Sequence, residues 1–401
     1  MAMNDRENHW QKLADKYFMH LVDRVPLTLV KGNGLWVWDD RGDKYLDFVG
    51  GWAVDSLGHC HPAVTGAVTE QVKKLIHTSN QFYTIPQVQL AELLVNNSCL
   101  DRVFFCNSGA EANEGAVKLA RRYGSLNLKG AYEVITTSSS FHGRTLAMVA
   151  ATGQDKHQKP YHPLPAGFIN VEYDDIEAIK DATSSKTCAI MLELVQGEGG
   201  VNSPGQGYIK AVRDWCHRKG ILLILDEVQT GVSRLGTLFA YEQYDIEPDI
   251  LTLAKGLASG IPIGAIMSKE AASVFTPGEH GSTFGGNPVA CAAGYATIKY
   301  IIENDISANV KRVGEYLVHG LREIRDKYLF VVDIRGQGLL LAMEFSDDIA
   351  HNVLTACLNN GLLVNRVKPN AIRLMPPLIC GKEEADKALG MLDQALSSIS
   401  R

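Results

Sequence analysis

Short apolar runs, each stopped by charge or glycine, recur through the middle of the chain. The clearest is Ile221-Leu222-Leu223-Ile224-Leu225, which ends at Asp226-Glu227 and continues as Val228-Gln229-Thr230-Gly231. A second, Ile250-Leu251-Thr252-Leu253-Ala254, ends at Lys255-Gly256. Runs of this kind suit strands buried on both faces of a parallel sheet. Residues 102–107, 132–136, 188–192 and 262–267 read the same way, with amphipathic helices at 64–76 and 86–95 and a long helix opening at Ser108. Toward the start, a helix is predicted at 7–18 and a hairpin over 31–48 that turns at 39–43. Residues 154–169, rich in Pro, Gly and His, read as an exposed connection. After a helix at 289–303 the pattern changes. Helical periodicity over 307–328 is followed by strands at 331–334 and 339–345, a helix at 349–360, strands at 362–367 and 371–374, and a last helix from 382. The chain therefore reads as an α/β protein, with a mostly parallel central sheet in a large domain and a smaller α+β domain after a boundary near 300.

Composition narrows the partners. With 401 residues, 46% hydrophobic and 21% charged, the chain has ordinary globular composition and room for two domains. A net charge of −6 argues against nucleic acid or an anionic membrane as a partner. No apolar run approaches the ~20 residues of a membrane span, and the polar start of the chain is not a secretory signal. Eight scattered cysteines without a CxxC pair suit reduced thiols in a cytoplasmic protein.

The chemistry sits where the strands end. Ligands of open α/β sheets bind beyond the C-terminal strand ends, and there Asp226 offers a carboxylate and Lys255 an amine. Such a pair can hold the two ends of a pyridine-aldehyde cofactor, although ordinary strand-end charges give the same pattern. Ser108 with Glu111 forms a capping box at a helix start that follows a strand directly, which makes an anion site. Gly109 and Ala110 let an anion approach the backbone, and Lys118, Arg121 and Arg122 suit the helix's far end. Phe141 can stack on a ring and Arg144 can grip a carboxylate, while His142 between them reads more readily as a hydrogen-bonded structural residue. Glu193 precedes and Glu198 lies within Gln196-Gly197-Glu198-Gly199-Gly200, whose glycines do not fit the dinucleotide fingerprint. Arg373 stands alone in an apolar strand, which is costly unless it is paired. His59 and His61 find no carboxylate at a matching spacing, so they read as structural, and no metal site is expected.

Taken in order, Asn107-Ser108-Gly109-Ala110-Glu111-Ala112-Asn113, Phe141-His142-Gly143-Arg144-Thr145, Gln196-Gly197-Glu198-Gly199-Gly200, Asp226–Gly231, Ala254-Lys255-Gly256 and the loop 281–288 resemble the class III pyridoxal-phosphate aminotransferases of fold type I, in particular the acetylornithine/ornithine branch. The resemblance covers roughly 20–395. It implies residues 1–48 joining the small domain, a large cofactor domain over 49–300 and a small domain over 301–401. It also implies pyridoxal 5'-phosphate as cofactor. Lys255 would form the Schiff base and shuttle the proton, and Asp226 would pair with the ring nitrogen. Phe141 and Val228 would sandwich the ring and Gln229 would bond its hydroxyl, with His142 and Glu193 also at the cofactor. Ser108, Gly109 and Ala110 would take the phosphate. Thr283 would reach the phosphate of a neighbouring subunit, which implies a homodimer with shared sites.

On the substrate side the resemblance implies that Arg144 binds the α-carboxylate of an N-acylated ornithine and Arg373 that of glutamate. Glu198 would act as a gate that pairs with Arg373 when an amine lacks a carboxylate there. The implied reaction moves a terminal amino group from N-acetylornithine to 2-oxoglutarate by ping-pong chemistry. Some positions depart from the branch: Trp52 adds bulk near the substrate entrance, and Ile85, Leu194, Ser233 and Leu235 replace its usual residues. Together with Tyr83, Trp52 leaves 4-aminobutyrate, ornithine, succinylornithine or another ω-amine as alternative donors, and an aminomutase as a further one. A cofactor-binding relative without turnover fits poorly with Lys255, Asp226, Arg144 and Arg373 all present.

Overall fold

The computed structural model describes residues 9–399. The first residues of the expected 7–18 helix lie outside the described ones, and the helix runs His9–Tyr17. Strands β1 (Leu29–Asn33), β2 (Trp36–Asp39) and β3 (Lys44–Asp47) form an antiparallel meander. Asp39 closes the expected turn, because its Oδ1 accepts the N–H groups of Arg41 and Asp43 at 3.0 and 2.9 Å. Leu362–Leu363 pairs in parallel with β3, so both ends of the chain share one sheet.

The central sheet contains β4 (Arg102–Cys106), β5 (Glu133–Thr137), β6 (Phe168–Val171), β7 (Thr187–Leu192), β8 (Leu222–Asp226), β9 (Ile250–Leu253) and β10 (Gly264–Ser268), in the order β4-β10-β9-β8-β7-β5-β6. Every residue of β7, β8 and β9 is buried, as their continuous apolar runs require. β5 through β9 pair in parallel. β10 departs from the expectation and runs antiparallel to both neighbours. Residues 254–263, which carry only the short turn Lys255–Ala258, are too few for a parallel crossover. β6 falls at the end of the connection expected over 154–169. It is a half-buried edge strand preceded by Pro165-Ala166-Gly167, so it lacks the apolar run that marks the inner strands. Helices Ile176–Ala182 and Tyr208–Lys219 supply crossovers on this side that the apolar runs did not reveal.

The long helix runs Gly109–Asn127, and its last turn holds no basic residue. Lys118, Arg121 and Arg122 lie in its middle and reach sideways instead: Lys118 to the Glu279 carbonyl at 3.1 Å, Arg121 to the Ala166 carbonyl at 2.8 Å, Arg122 to the Glu279 carboxylate at 2.9 Å. They tether neighbouring loops rather than complement the helix dipole.

Beyond helices Pro288–Glu303 and Ile306–Lys327 come β11 (Val331–Gln337), β12 (Leu340–Phe345), β13 (Leu362–Leu363), β14 (Asn365–Lys368) and β15 (Ala371–Leu374). β11, β12, β15 and β14 form an antiparallel sheet in that order. The single strand expected over 362–367 is two, because its halves pair with different sheets. Among the described residues no helix is long and apolar enough to cross a membrane.

Candidate active site

Where β8 ends in Asp226 and β9 runs on into Lys255, a cavity of about 430 Å³ opens. Its floor is the buried Asp226 carboxylate, which three donors hold. Oδ2 accepts Asn113 Nδ2 at 2.7 Å and His142 Nδ1 at 2.8 Å, and Oδ1 accepts the Val228 N–H at 3.0 Å. Asn113 is held in turn: its Nδ2 also donates to the His142 carbonyl at 2.8 Å, and its Oδ1 accepts the Thr252 hydroxyl at 2.7 Å. One amide thus joins the long helix, β8, β9 and the loop after β5. Burial pulls the His142 imidazole down, but the bond to Asp226 and the charges of Asp226 and Glu193 outweigh it and leave its pKa raised. His142 Nε2 is buried without a partner. Glu193 accepts the Phe141 N–H at 2.8 Å, and burial pushes its pKa up to about 8 against the pull of His142. Glu193 therefore fixes the backbone that presents Phe141.

Lys255 follows an abrupt backbone change. Ala254 has φ −164° and ψ −137°, and Lys255 takes φ +40°, a strained conformation for a residue with a Cβ. The buried turn behind it enforces that strain, with the Ser56 hydroxyl donating to the Gly256 carbonyl at 3.1 Å. A Cβ on Gly256 would stand 2.4 Å from Ser56 Oγ. Desolvation lowers the Lys255 pKa, with the charge of Glu198 opposing it.

At the cavity's other wall the long helix begins. Ser108 Oγ accepts the Glu111 N–H at 3.2 Å. Glu111 reaches one residue further back than a capping box requires and takes the Asn107 N–H at 2.5 Å. Gly109 and Ala110 of this helix start line the cavity, in the first turn whose N–H groups have no intrahelical acceptor. Gly109 packs against Val228, where a Cβ would come within 2.7 Å of Cγ1.

A second buried network stands beside the first. Arg373 is fully buried and pairs with Glu198 at 2.9 Å, as its apolar strand demanded. Arg373 Nη1 also donates to Gln229 Oε1 at 3.0 Å, and Gln229 Nε2 donates to Glu198 Oε1 at 3.2 Å. Burial opposes ionisation of Glu198, but Arg373 and Lys255 overcome it and hold its pKa down at about 2. Gly197 makes room for this arrangement, since a Cβ there would sit 1.6 Å from Gln229 Oε1.

The structure brings Ser108, Gly109, Ala110, Phe141, His142, Arg144, Glu193, Glu198, Asp226, Val228, Gln229 and Lys255 onto one cavity, with Arg373 behind Glu198. Arg144 is exposed; its guanidinium lies 5.2 Å from the Phe141 ring centre and donates to His157 Nδ1 at 3.2 Å. Three expected residues do not line the cavity in the single chain. Tyr83 is 99% exposed, Trp52 is 51% exposed, and Thr283 lies exposed in its loop. Trp52 belongs to a left-handed turn in which Gly50, Gly51, Trp52 and Ala53 all have positive φ. Side-chain amides anchor the Thr283 loop: Asn107 Nδ2 donates to Ser282 Oγ at 3.2 Å, and Asn80 Nδ2 to the Ser282 and Gly285 carbonyls at 2.9 Å each. Asn113 and Asn365 had no role in the sequence reading. Only a helix face shared with Ala110 and Val117 could have pointed Asn113 inward.

Both histidines bond within the chain, and the spacing argument about His59 fails. Two carboxylates do meet His59, at 2.8 Å from Asp47 and 3.8 Å from Asp55, brought there by the turn at 50–58. The Asp47 bond raises the His59 pKa, and Asp47 Oδ1 is already taken by the Val49 and Gly50 N–H groups. His61 Nδ1 accepts the Ala63 N–H and caps the helix Pro62–Val72.

Residues 17–396 match the class-III aminotransferase family. The chain is 50% identical to the acetylornithine aminotransferase of Caldanaerobacter subterraneus subsp. tengcongensis, over 96% of this chain and 98% of that one. Its fold superposes on the ornithine aminotransferase of Toxoplasma gondii with a TM-score of 0.94 and 33% identity, covering 98% of this chain and 95% of that one. Against the acetylornithine aminotransferase of Elizabethkingia anophelis the TM-score is 0.88 at 32% identity, with 97% and 98% covered. An acid and a strained lysine at adjacent strand ends, facing a helix start across one cavity, are thus the site of a chain that belongs to the class-III aminotransferases.

Proposed function

We propose that this chain transfers the terminal amino group of N-acetylornithine to 2-oxoglutarate, giving the semialdehyde and glutamate by ping-pong chemistry with pyridoxal 5'-phosphate. The cavity supports that cofactor. Lys255 and Asp226 stand on one cavity with the aromatic face of Phe141, and the helix start at Ser108, Gly109 and Ala110 offers free N–H groups to a phosphate. Phe141 and Val228 both line the cavity and would sandwich the ring, and Gln229 would bond the ring hydroxyl.

Bound pyridoxal phosphate supplies an aldehyde for the amine and an electron-accepting ring that stabilises charge at the substrate carbon. The chain's residues do the rest. Lys255 Nζ, its basicity lowered by burial, is the group that takes and returns the proton at the amine-bearing carbon. Asp226, fixed by Asn113, His142 and Val228, offers a carboxylate to the ring nitrogen. Arg144 at the mouth takes the donor's carboxylate. Glu198 covers Arg373 while the donor reacts and yields it to the carboxylate of 2-oxoglutarate.

The exposed Thr283 would reach the cofactor phosphate of a second copy, with Trp52 and Tyr83 near the substrate entrance, so the working form is a homodimer. Residues 1–48 and 301–401 act as one small domain against the cofactor domain 49–300, a division supported by the β3–β13 pairing. Eight scattered free thiols support a cytoplasmic location. N-acetylornithine as donor is carried by the name shared among full-length relatives at 50% identity and below. The test is a donor panel with purified protein, cofactor and 2-oxoglutarate: N-acetylornithine should give the highest kcat/KM. A higher value for N-succinylornithine, ornithine or 4-aminobutyrate would replace it, and product without 2-oxoglutarate would mean a mutase. Wild-type protein should be yellow, and Lys255→Ala should lose both the lysine-bound colour and turnover.

A further inference from the structure

β14 and β15 pair so that Asn365 stands directly opposite Arg373. Directly opposed residues of an antiparallel pair share a sheet face with Cβ atoms about 4.5–5.5 Å apart, so the register alone brings an amide to the buried arginine. The contact is specific. Asn365 Oδ1 accepts both Arg373 Nε at 3.2 Å and Arg373 Nη2 at 2.8 Å, which occupies one edge of the guanidinium with one neutral oxygen. The remaining nitrogen, Nη1, faces Glu198 at 2.9 Å and Gln229 at 3.0 Å. A guanidinium is a rigid planar fork. Fixing one edge fixes the direction in which the other points, whatever partner is present.

We propose that Asn365 is a specificity-determining positioning residue, which holds the Nε/Nη2 edge of Arg373 so that Nη1 is free to exchange Glu198 for the carboxylate on the reacting carbon of a 2-oxo acid. The inference rests on the roles of Arg373 and Glu198 given above. Its chemical logic is in the choice of a neutral partner. An aspartate at 365 would neutralise Arg373 permanently and weaken its hold on an incoming carboxylate, while an apolar residue would leave two buried donors unpaired and the fork free to turn. The amide satisfies the donors and leaves the positive charge for the substrate. Asn365 is the fixed partner and Glu198 the exchangeable one.

In ping-pong kinetics the kcat/KM of each substrate reports its own half-reaction, so the two halves can be separated. The reacting carbon of N-acetylornithine bears no carboxylate, whereas that of 2-oxoglutarate does. Asn365→Leu should lower kcat/KM for 2-oxoglutarate by about 10- to 100-fold, the size expected for losing hydrogen bonds to a charged group, and should change that for N-acetylornithine by less than about 3-fold. Asn365→Asp, which keeps the acceptor and so protects folding, should lower the 2-oxoglutarate value and again spare the donor. Equal losses in both halves, or no loss for 2-oxoglutarate, would overturn the assignment. Arg373→Lys is the control. If it also fails to affect 2-oxoglutarate selectively, the role given to Arg373 is wrong. If it does so while both Asn365 variants do not, only the role of Asn365 is.

Discussion

At the floor of the cavity the Asp226 carboxylate is held before any ligand arrives, whereas at its mouth the groups stand in solvent. Asp226 is buried and accepts three hydrogen bonds from Asn113, His142 and Val228. Arg144 is exposed and leans on Phe141 and His157, while Trp52, Tyr83 and Thr283 touch no part of the cavity in the single chain. A floor built this way fixes an electrostatic environment in advance, which is how charge developing during reaction is stabilised. A mouth built from exposed groups can be completed by another copy and adjusted to a substrate. Glu198 and Arg373 lie between these regions, since both are engaged and one is exchangeable.

The sharpest way to break this contrast is at the floor. Asp226→Ala removes the group facing the ring nitrogen, strands His142 Nδ1 and leaves Asn113 Nδ2 with only the His142 carbonyl. Turnover should fall by about 10²–10³-fold, as when a preorganised electrostatic partner is lost. Unfolding free energy should also fall by about 3–5 kcal/mol, the range for breaking a buried hydrogen-bonded charge. Kinetics alone with unchanged denaturant stability would show that the floor is not preorganised in the sense argued.

Asn113→Ala comes next. It leaves Asp226 in place but removes the donor at 2.7 Å and the acceptor of the Thr252 hydroxyl. Unsatisfied buried partners cost about 1–3 kcal/mol, and a similar loss in the transition state is roughly tenfold or more in kcat. Both kcat and stability should move while the KM for 2-oxoglutarate stays near wild type. A variant with altered KM only would place Asn113 in the substrate network instead.

How these regions could be read from the chain differs in the same way. The strand of Asp226 was legible because five apolar residues in a row admit few other readings, and Lys255 because the next run ends on it. The antiparallel direction of β10 was not, since 262–267 looks like any inner strand and only the short link before it sets its sense. Asn113 carries no legible role within its motif, because a polar residue inside a helix usually faces water. Its partners, Asp226 and Thr252, come from strands far along the chain. Asn365 is opposed to Arg373 only through the β14–β15 register. Trp52 reads as bulk at the entrance, and the left-handed turn that carries it leaves it half-exposed and outside the cavity lining of the single chain.

The mouth should respond differently. Arg144→Ala removes an exposed cation whose bond to His157 is solvent-reached, so stability should stay within about 0.5 kcal/mol of wild type. The KM for N-acetylornithine should rise by roughly tenfold or more, the loss expected for one charged hydrogen-bonding partner, with little change in kcat. Thermal melts and initial-rate kinetics on the same preparation check both. A large fall in melting temperature would mean that the mouth is as preorganised as the floor.

The smallest effect tests the region between them and appears as a pH dependence. Glu198 has its pKa held down at about 2 against an ordinary 4.5, chiefly because Arg373 and Lys255 outweigh its burial. A carboxylate depressed in the folded state adds stability that is fully present above its unfolded value, and that stability drains away as the pH falls through the folded one. Glu198→Gln should therefore be less stable than wild type at pH 7, with the difference shrinking from about pH 4.5 downward toward pH 2. The side chain is 33% exposed, so solvent screening limits the difference to about 1 kcal/mol. Melting both proteins from pH 7 to pH 3 isolates it, because the other carboxylates are common to the two chains. A difference that grows on acidification would mean that Glu198 is protonated in the folded protein, and a group in that state could not cover Arg373 as an ion and then release it to a substrate carboxylate.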